Sequence, residues 1–440
     1  MLNPSSSEQR PLYLQMTHVY APAWGYGGPV RLMLDYARLM GQAFRVMVLS
    51  GDLHHDFTRI PQKFDDQDGV TVERFRVHLP RLARKSIYLI SPRMWIRAAS
   101  LLRCSGHSTI VHVAELRGLI PLYALLLKLL FGERVLLVHS AFGMLHTKPG
   151  WRRKAHDLIF MKAFQRSVDL RLTQNDHEFA AYQTFSRAYG CIGQGGIALL
   201  PLHVDARPLE GKHFGPRGKK EESVRELRKK YGIPEDALVF MFLGRLHADK
   251  GVLRTIEAFL EFSKLSQQRT LLLIIGRDDG FQGQIDRFIV EREAGKRIHV
   301  INNVYSDRFE YYFLSDVFLG FPTIFEETML ASVEALTCGT PIIVSREADI
   351  PFVEREGAGR VLDFDVRAVV ATMVAFVDDL PRLQLRAREV AIRYFCGSKA
   401  GYRLLDLFQK AQVERIRRGA AHGEHMGKSS GKLFGVDIGK

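Results

Sequence analysis

The 440-residue sequence predicts an α/β protein of two doubly wound lobes, each a parallel sheet covered on both faces by helices. Three observations carry that expectation. The length exceeds one ordinary domain. Short apolar runs alternate with stretches of helical periodicity in both halves. A polar stretch at 206–230, ARPLEGKHFGPRGKKEESVRELRKK, interrupts the alternation, which restarts behind it.

The elements follow in order. Leu12 to Val19 is the opening strand, and Trp24-Gly25-Tyr26-Gly27-Gly28-Pro29 is the turn after it. Val30, Met33, Leu34 and Ala37 then recur at helical spacing up to Met40. Arg45–Ser50, Val70–Val77, Thr109–Val113 and Val135–His139 are further strands. The most apolar stretch, Leu119 to Leu130, contains Pro121 and Lys128 and is too short to span a bilayer, so a buried helix is expected. Behind the polar stretch, strands are expected at Leu238–Leu243, Thr270–Ile275, Arg297–Val300, Asp316–Leu319 and Pro341–Val344, with helices at Val252–Phe262 and Phe281–Ala294. This divides the chain into a first lobe at 1–210, a charged linker at 211–230 and a second lobe at 231–395. A helix at 396–414 is expected to pack back, and residues 415–440, rich in Gly, Lys, His and Ser, are expected to be a disordered tail.

Composition narrows the class. With 46% hydrophobic and 25% charged residues, wholesale disorder, a fibrous repeat and a disulfide scaffold are excluded. Cys104, Cys191, Cys338 and Cys396 form no CxxC, which suits a reducing compartment and offers no zinc site. The opening MLNPSSSEQR has no apolar run behind a basic region, so a signal peptide is not expected. The net charge of +14 is uneven: +10 in residues 1–210, +5 in 211–230 and −1 in the rest. That asymmetry points to an anionic partner, whether nucleic acid, a membrane surface or a phosphate-bearing substrate.

Doubly wound sheets bind ligands at the carboxyl ends of their strands, so the turns after strands matter most. Four stand out. Gly25, Gly27 and Gly28 allow close approach of a phosphate or sugar before a helix N-terminus. The pattern is not GxGxxG, and no acid ends the second strand, which disfavours a nicotinamide or flavin. The run Gly244-Arg245-Leu246-His247-Ala248-Asp249-Lys250-Gly251 places two cations where they could hold a diphosphate. Its bland alternative is a solvated loop. Glu326 and Glu334 stand eight residues apart, about 12 Å along a helix, with a helix N-terminus between them. The alternative is a capping glutamate and a surface glutamate. His139 ends a buried-looking strand, where an imidazole can serve a substrate oxygen. His18, beside the first glycine turn, is the weaker histidine candidate.

Together these pieces resemble the retaining GT-B glycosyltransferases of glycosyltransferase family 4, from about residue 12 to about residue 400. The most specific match is Glu326 to Pro341, EETMLASVEALTCGTP, which is similar to that family's E-x7-E motif and its G-x-P continuation. The GR-x4-KG run at 244–251 and the GYGGP run match two further motifs. The resemblance implies a GT-B fold, two Rossmann-like domains facing a cleft. It implies that Arg245 and Lys250, beside Gly244, bind the leaving diphosphate of a nucleotide sugar. Glu326 would contact the donor sugar, Glu334 the ribose, and the backbone amides of Thr328, Met329 and Leu330 the sugar or phosphate. His139 would lie near the donor sugar, and Gly27 and Gly28 would line the cleft from the acceptor domain. One departure is that Glu327-Thr328-Met329 stands where many members have Gly-Phe-Gly.

The implied chemistry is glycosyl transfer with retained anomeric configuration from a UDP- or GDP-sugar, with no cofactor and no metal required. Two fixed cations would stabilise the charge growing on the leaving phosphate. Asp363-Phe364-Asp365 has metal-motif spacing but begins a helix late in the second lobe, so it reads as a cap. The acceptor, a glycan or lipid-linked saccharide, would bind the first lobe. There Arg74 to Ala114 holds eight Lys and Arg and no Asp or Glu, interleaved with Ile87, Tyr88, Leu89, Ile90, Met94, Trp95 and Ile96. A second cluster sets Lys148, Arg152, Arg153 and Lys154 around Trp151. Basic and aromatic residues together suit an anionic membrane surface. A cytoplasmic, peripheral protein is expected from this, and the family resemblance implies a setting in cell-surface polysaccharide assembly. The alternatives are a nucleotide-sugar epimerase or other GT-B enzyme without a glycan acceptor and, more remotely, a nucleic-acid binder. The pI near 9.6 permits the last, but no helix-turn-helix, zinc finger or RNP pattern supports it.

Overall fold

Apolar runs become interior strands where helices cover both faces, and this chain does so twice. The structure is a computed structural model describing residues 10–421 except 68, 84–87, 147–156, 190–194, 205–217, 303, 305–307, 327–328 and 349. The chain divides into two compact units, residues 1–200 with 398–440, and residues 201–397.

The first unit contains β1 (Leu12–Thr17), β2 (Arg45–Gly51), β3 (Phe64–Gln67), β4 (Val70–Phe75), β5 (Val77–His78), β6 (Leu89–Ile90), β7 (Thr109–Val113), β8 (Val135–Ser140), β9 (Leu170–Thr173) and β10 (Gly196–Leu199). Eight of them form a sheet ordered β10-β9-β8-β7-β1-β2-β4-β3, while β5 and β6 pair separately. Every ladder of the large sheet is parallel except β3–β4. The strand order reverses between β1 and β7.

Three helices of this unit bear on function: α1 (Gly28–Met40), α2 (Arg93–Cys104) and α3 (Leu119–Phe131). The expected buried helix, α3, is buried on one face only. Ile120, Tyr123, Ala124 and Leu127 face the core, while Leu126, Leu129 and Leu130 are exposed. The expected basic-aromatic surface at 81–103 also needs correction. Helical spacing turns Met94, Ala98, Leu101 and Leu102 of α2 inward, and Tyr88 and Trp95 pack against the same core. Ile96 alone of that apolar set is a large exposed side chain among the described residues. Ile87 and the cluster from Lys148 to Lys154 lie outside them.

The second unit contains β11 (Leu238–Leu243), β12 (Thr270–Ile275), β13 (Ile298–Ile301), β14 (Val317–Gly320), β15 (Ile342–Ser345) and β16 (Gly359–Leu362), all parallel, ordered β13-β12-β11-β14-β15-β16. Here the order reverses between β11 and β14. A helix, α4 (Gly218–Lys230), occupies much of the expected linker. It packs on α7 (Arg308–Leu314), and the Tyr231 hydroxyl just beyond it meets the Tyr311 hydroxyl at 2.9 Å. That stretch therefore belongs to the second unit. Other helices here are α5 (Val252–Leu265), α6 (Gln282–Glu291) and α8 (Leu330–Thr337).

The last helix, α9 (Gly397–Ala421), joins the first unit. Phe408 is buried beside Tyr13, and Arg415 donates to the carbonyls of Val135 at 2.6 Å and Glu133 at 2.7 Å. The boundary expected at 415 thus falls inside a helix that is tied down. Among the described residues no helix is long and apolar enough to cross a membrane.

Candidate functional site

The second unit brings its motif residues together where strand order reverses. After β11 the chain makes a single tight turn at Ala248–Lys250, and Gly251 at φ 67° ends it and starts α5. A Cβ on Gly251 would lie 1.7 Å from the Phe321 carbonyl oxygen, so only glycine lets the loops after β11 and β14 approach this closely. The Thr323 amide donates to the Asp249 carbonyl at 2.9 Å, and Arg254 donates to the Pro322 carbonyl at 3.1 Å. Across this seam Lys250 Nζ reaches Glu326 Oε1 at 2.5 Å, with the two side chains 18% and 17% exposed. The Glu326 amide is fixed to the Glu347 carbonyl at 2.7 Å, behind β15. A cation and a carboxylate on separate strand ends are thus held side by side and open to solvent.

Arg245 stands nearby on the same loop, 42% exposed, with Nη1 2.5 Å from Asp279 Oδ2. Asp279 also contacts Arg277 at 3.4 Å. Both belong to the turn after β12, which meets the turn after β11 glycine to glycine: a Cβ on Gly276 would sit 1.7 Å from the Gly244 oxygen. In that turn Asp278 accepts the amides of Gln282, Phe281 and Gly280, which hold its carboxyl below the usual range.

The E-x7-E segment is not one continuous helix. α8 starts at Leu330, so helical rise does not set the Glu326–Glu334 separation, and the 12 Å expectation does not apply. Met329, in the position of a family glycine, is buried with its terminal methyl over Gly320, where a Cβ would come within 2.3 Å of it. Leu330 is also buried. Thr328 lies outside the described residues. Glu334 is only 4% exposed. Its Oε1 accepts Arg308 Nε at 2.9 Å and Nη2 at 2.7 Å, and its Oε2 accepts the Tyr312 hydroxyl at 3.1 Å. Burial and the adjacent Glu334 charge hold the Tyr312 hydroxyl protonated, its pKa well above the ordinary value.

In the first unit the expected histidine is displaced by another. His139 is fully buried. Its Nε2 faces the Glu115 carbonyl at 2.9 Å and its Nδ1 faces the Tyr182 hydroxyl at 3.0 Å. Burial lowers its pKa to about 3, so it stays neutral. It is a core residue of β8 and presents no face to a ligand. The histidine at the reversal point is His18, just beyond β1. Its Nδ1 lies 2.5 Å from Glu115 Oε1, beyond β7. The same carboxylate oxygen receives the His18 amide, and the Tyr88 ring packs over the imidazole at 4.1 Å. Gly27, at φ 76°, is the N-cap of α1, and Gly28 is its first residue. A Cβ on Gly27 would meet open space, so the glycine answers the backbone angle.

Asp365 is a cap, accepting the Ala368 amide at 2.9 Å, and Asp363 pairs with Arg346. Among the described residues no three His, Cys, Asp or Glu side chains group as a metal-binding set.

Residues 223–387, most of the second unit, match the family model described as glycosyl transferases group 1. The likeness to that family thus lies in the second unit. Curated relatives agree. The chain is 32% identical over 151 residues to alpha-monoglucosyldiacylglycerol synthase of Acholeplasma laidlawii, covering 34% of this chain and 36% of the relative. It is 26% identical over 233 residues to D-inositol 3-phosphate glycosyltransferase of Corynebacterium efficiens, covering 50% and 55%. The chain thus spans between a third and a little over half of these relatives. Solved structures match much more of it. Sucrose-phosphate synthase from Thermosynechococcus elongatus superposes with TM-score 0.65 at 16% identity, covering 93% of this chain and all of the other. Anabaena Alr3699/HepE, solved with UDP and glucose, does so with TM-score 0.65 at 14% identity over 91% of this chain and all of the other. The fold of the chain is therefore GT-B, two Rossmann-like domains.

Sequence reasoning missed Asp279, Arg308, Tyr312 and Glu115. Asp279 follows strand β12 and was accessible to the same strand-end logic. Arg308 and Tyr312 reach Glu334 from another helix, and nothing local marks them.

Proposed function

We propose that the protein is a retaining glycosyltransferase, moving a sugar from a UDP- or GDP-sugar to a hydroxyl of a glycan or lipid-linked saccharide in cell-surface polysaccharide assembly at the inner face of the plasma membrane. The observation that carries the reading is the Lys250–Glu326 pair at the strand-order reversal of the second unit. Support also comes from the relatives' names, which are glycosyl-transferring enzymes, and from neighbours solved with UDP or UDP-glucose.

Each residue has a part. Lys250 and Arg245 sit where a diphosphate would lie, Arg245 as a forked donor and Lys250 as a point charge. Their cost of organisation is paid before substrate arrives, because Glu326 and Asp279 already hold them. Glu326, on binding donor, turns from Lys250 to a sugar hydroxyl. Glu334 takes a ribose hydroxyl, with Arg308 and Tyr312 fixing the carboxylate. The anomeric C–O bond to the diphosphate breaks as the acceptor oxygen bonds to the same face. The acceptor proton passes to the departing phosphate oxygen, and the two cations offset the charge that develops there.

The test is thermal unfolding with a panel of nucleoside diphosphates and nucleotide sugars, for wild type and Lys250→Ala, followed by transfer assays with the donor that binds. A ligand that binds only the folded state stabilises it by mass action. We expect one base to stabilise wild type by several degrees and Lys250→Ala to lose most of that shift. No stabilisation by any nucleotide would sink the reading. Conversion of donor to an altered nucleotide sugar without acceptor would replace it with the epimerase.

A further inference from the structure

A pocket of about 800 Å³ opens in the first unit between the ends of β2 and β4, the 60–63 segment and one face of α2. Its lining charges are unequal. The acids are Asp52 and Glu73, and both are already engaged. Glu73 is buried, with Oε2 accepting Arg97 Nε at 2.8 Å and Oε1 3.8 Å from Lys63 Nζ. Asp52 accepts the Val77 amide at 2.8 Å and pairs with Arg59. Two further lining cations, Arg76 and Arg93, are exposed and their side chains have no acidic partner among the described residues. They add positive charge to a concave wall whose acids are already neutralised, which is the arrangement that concentrates an anion.

The rest of the wall is apolar. Ile60 and Phe75 are buried at its back, and Ile96 stands at its mouth, 60% exposed. Phe64 and Leu79, each next in sequence to a lining residue, are 56% and 63% exposed. Lys63 Nζ lies 5.0 Å from the centre of the Phe64 ring. Exposed large apolar side chains beside uncompensated arginines fit an amphiphile: a phosphate for the guanidinium groups and hydrocarbon for the rim.

We propose that this pocket binds the phosphate of an anionic lipid. Under the transferase reading, on which this last identification rests, that lipid is the carrier of the acceptor. Arg76 and Arg93 grip the phosphate oxygens, and Phe64, Leu79 and Ile96 lie against the acyl or prenyl region.

The experiment uses the full chain without donor. Co-sedimentation is measured with vesicles of phosphatidylcholine alone and of phosphatidylcholine with phosphatidylglycerol, at fixed ionic strength. Wild type is compared with Arg76→Glu/Arg93→Glu and with Arg103→Glu/Arg166→Glu, an equal charge change at exposed positions of the same unit outside the pocket. A surface cation contributes roughly fivefold to anionic-membrane binding. The pocket pair is expected to lose well over tenfold of phosphatidylglycerol binding, and the control pair markedly less. Equal losses in both variants would overturn the pocket in favour of a diffuse basic face. Glycerol 3-phosphate separates the sources. Competition by it at millimolar concentration, with vesicle preference intact, supports a lipid phosphate site. Saturable glycerol phosphate binding with no preference for phosphatidylglycerol vesicles would overturn the lipid. Nucleotide-induced thermal stabilisation, read on the same variants, should be unchanged. Its absence in wild type would count against the transferase reading alone, and loss of vesicle binding with stabilisation intact would count only against this one.

Discussion

Each sheet places one polar group at its strand-order reversal and draws another into the interior. In the second unit Lys250 and Glu326 meet on two loops with nearly equal, partial exposure, while Glu334, eight residues on, is mostly buried and braced by Arg308 and Tyr312. In the first unit His18 meets Glu115 at the reversal, while His139, on the next strand but one from β1, is enclosed by Tyr182 and the Glu115 carbonyl. The difference teaches that a strand end in the sequence is not a ligand face. Topology leaves an opening only where neighbouring strands part in opposite directions, and everywhere else a covering helix decides.

The largest expected effect separates the two glutamates. Glu334→Ala removes the buried acceptor shared by Arg308 and Tyr312, and should lower the unfolding free energy by about 3 kcal/mol. Glu326→Ala breaks a partly exposed pair, and should cost less than about 1 kcal/mol of stability while reducing transfer on the order of a hundredfold. Urea unfolding of both variants checks the first half and donor-dependent turnover the second. Similar stability losses would dissolve the distinction between an open pair and a braced, buried one.

A smaller effect tests the sealed histidine. His139 and its neighbour His112, both fully buried, have pKa values lowered by burial to about 3. In the unfolded chain a histidine takes a proton below about pH 6.5. Between those values the unfolded state binds more protons, so stability is fully present above about pH 6.5 and declines as pH falls. From pH 7 to pH 5 each such histidine should remove about 2 kcal/mol. His139→Gln should therefore flatten the decline by roughly one histidine's share, with no change in nucleotide-induced stabilisation at pH 7. An unaltered pH slope would mean that His139 is solvated and would return it to the list of ligand-facing residues.

Much of this was legible in the sequence, for physical reasons. Strands such as LVFMFL and TLLLII are apolar throughout because parallel strands are covered on both faces, and the glycines at 244 and 251 announce loops that must come close. Lys250 and Glu326 were each singled out by motif and strand-end position, but that they pair with each other only the structure reveals. Glu334 was legible as the second acid of its motif, but Arg308 and Tyr312 arrive from a helix more than twenty residues earlier, which no local pattern reveals. His139 misled because a terminal strand residue looks the same in sequence whether the next helix covers it or not. The basic-aromatic stretch at 81–103 misled similarly: Arg81, Arg93 and Arg103 are exposed, but most of its described large apolar side chains serve the core.

The smallest expected effect concerns the most exposed member of the open site. Arg245 is held by Asp279, both solvent-accessible, so the pair contributes little to stability and Asp279→Asn should change it by less than about 0.5 kcal/mol. Its consequence lies in competition. If a diphosphate takes the place of the Asp279 carboxylate on Arg245, neutralising Asp279 removes both a rival and a repulsive charge. Asp279→Asn should then tighten nucleoside diphosphate binding roughly threefold at low ionic strength, with the gain fading in high salt as exposed charges are screened. Calorimetric titration at two salt concentrations reads this directly. Weaker binding in Asp279→Asn would show instead that the carboxylate positions Arg245 for its ligand, making this loop a braced site like that of Glu334 rather than an open one.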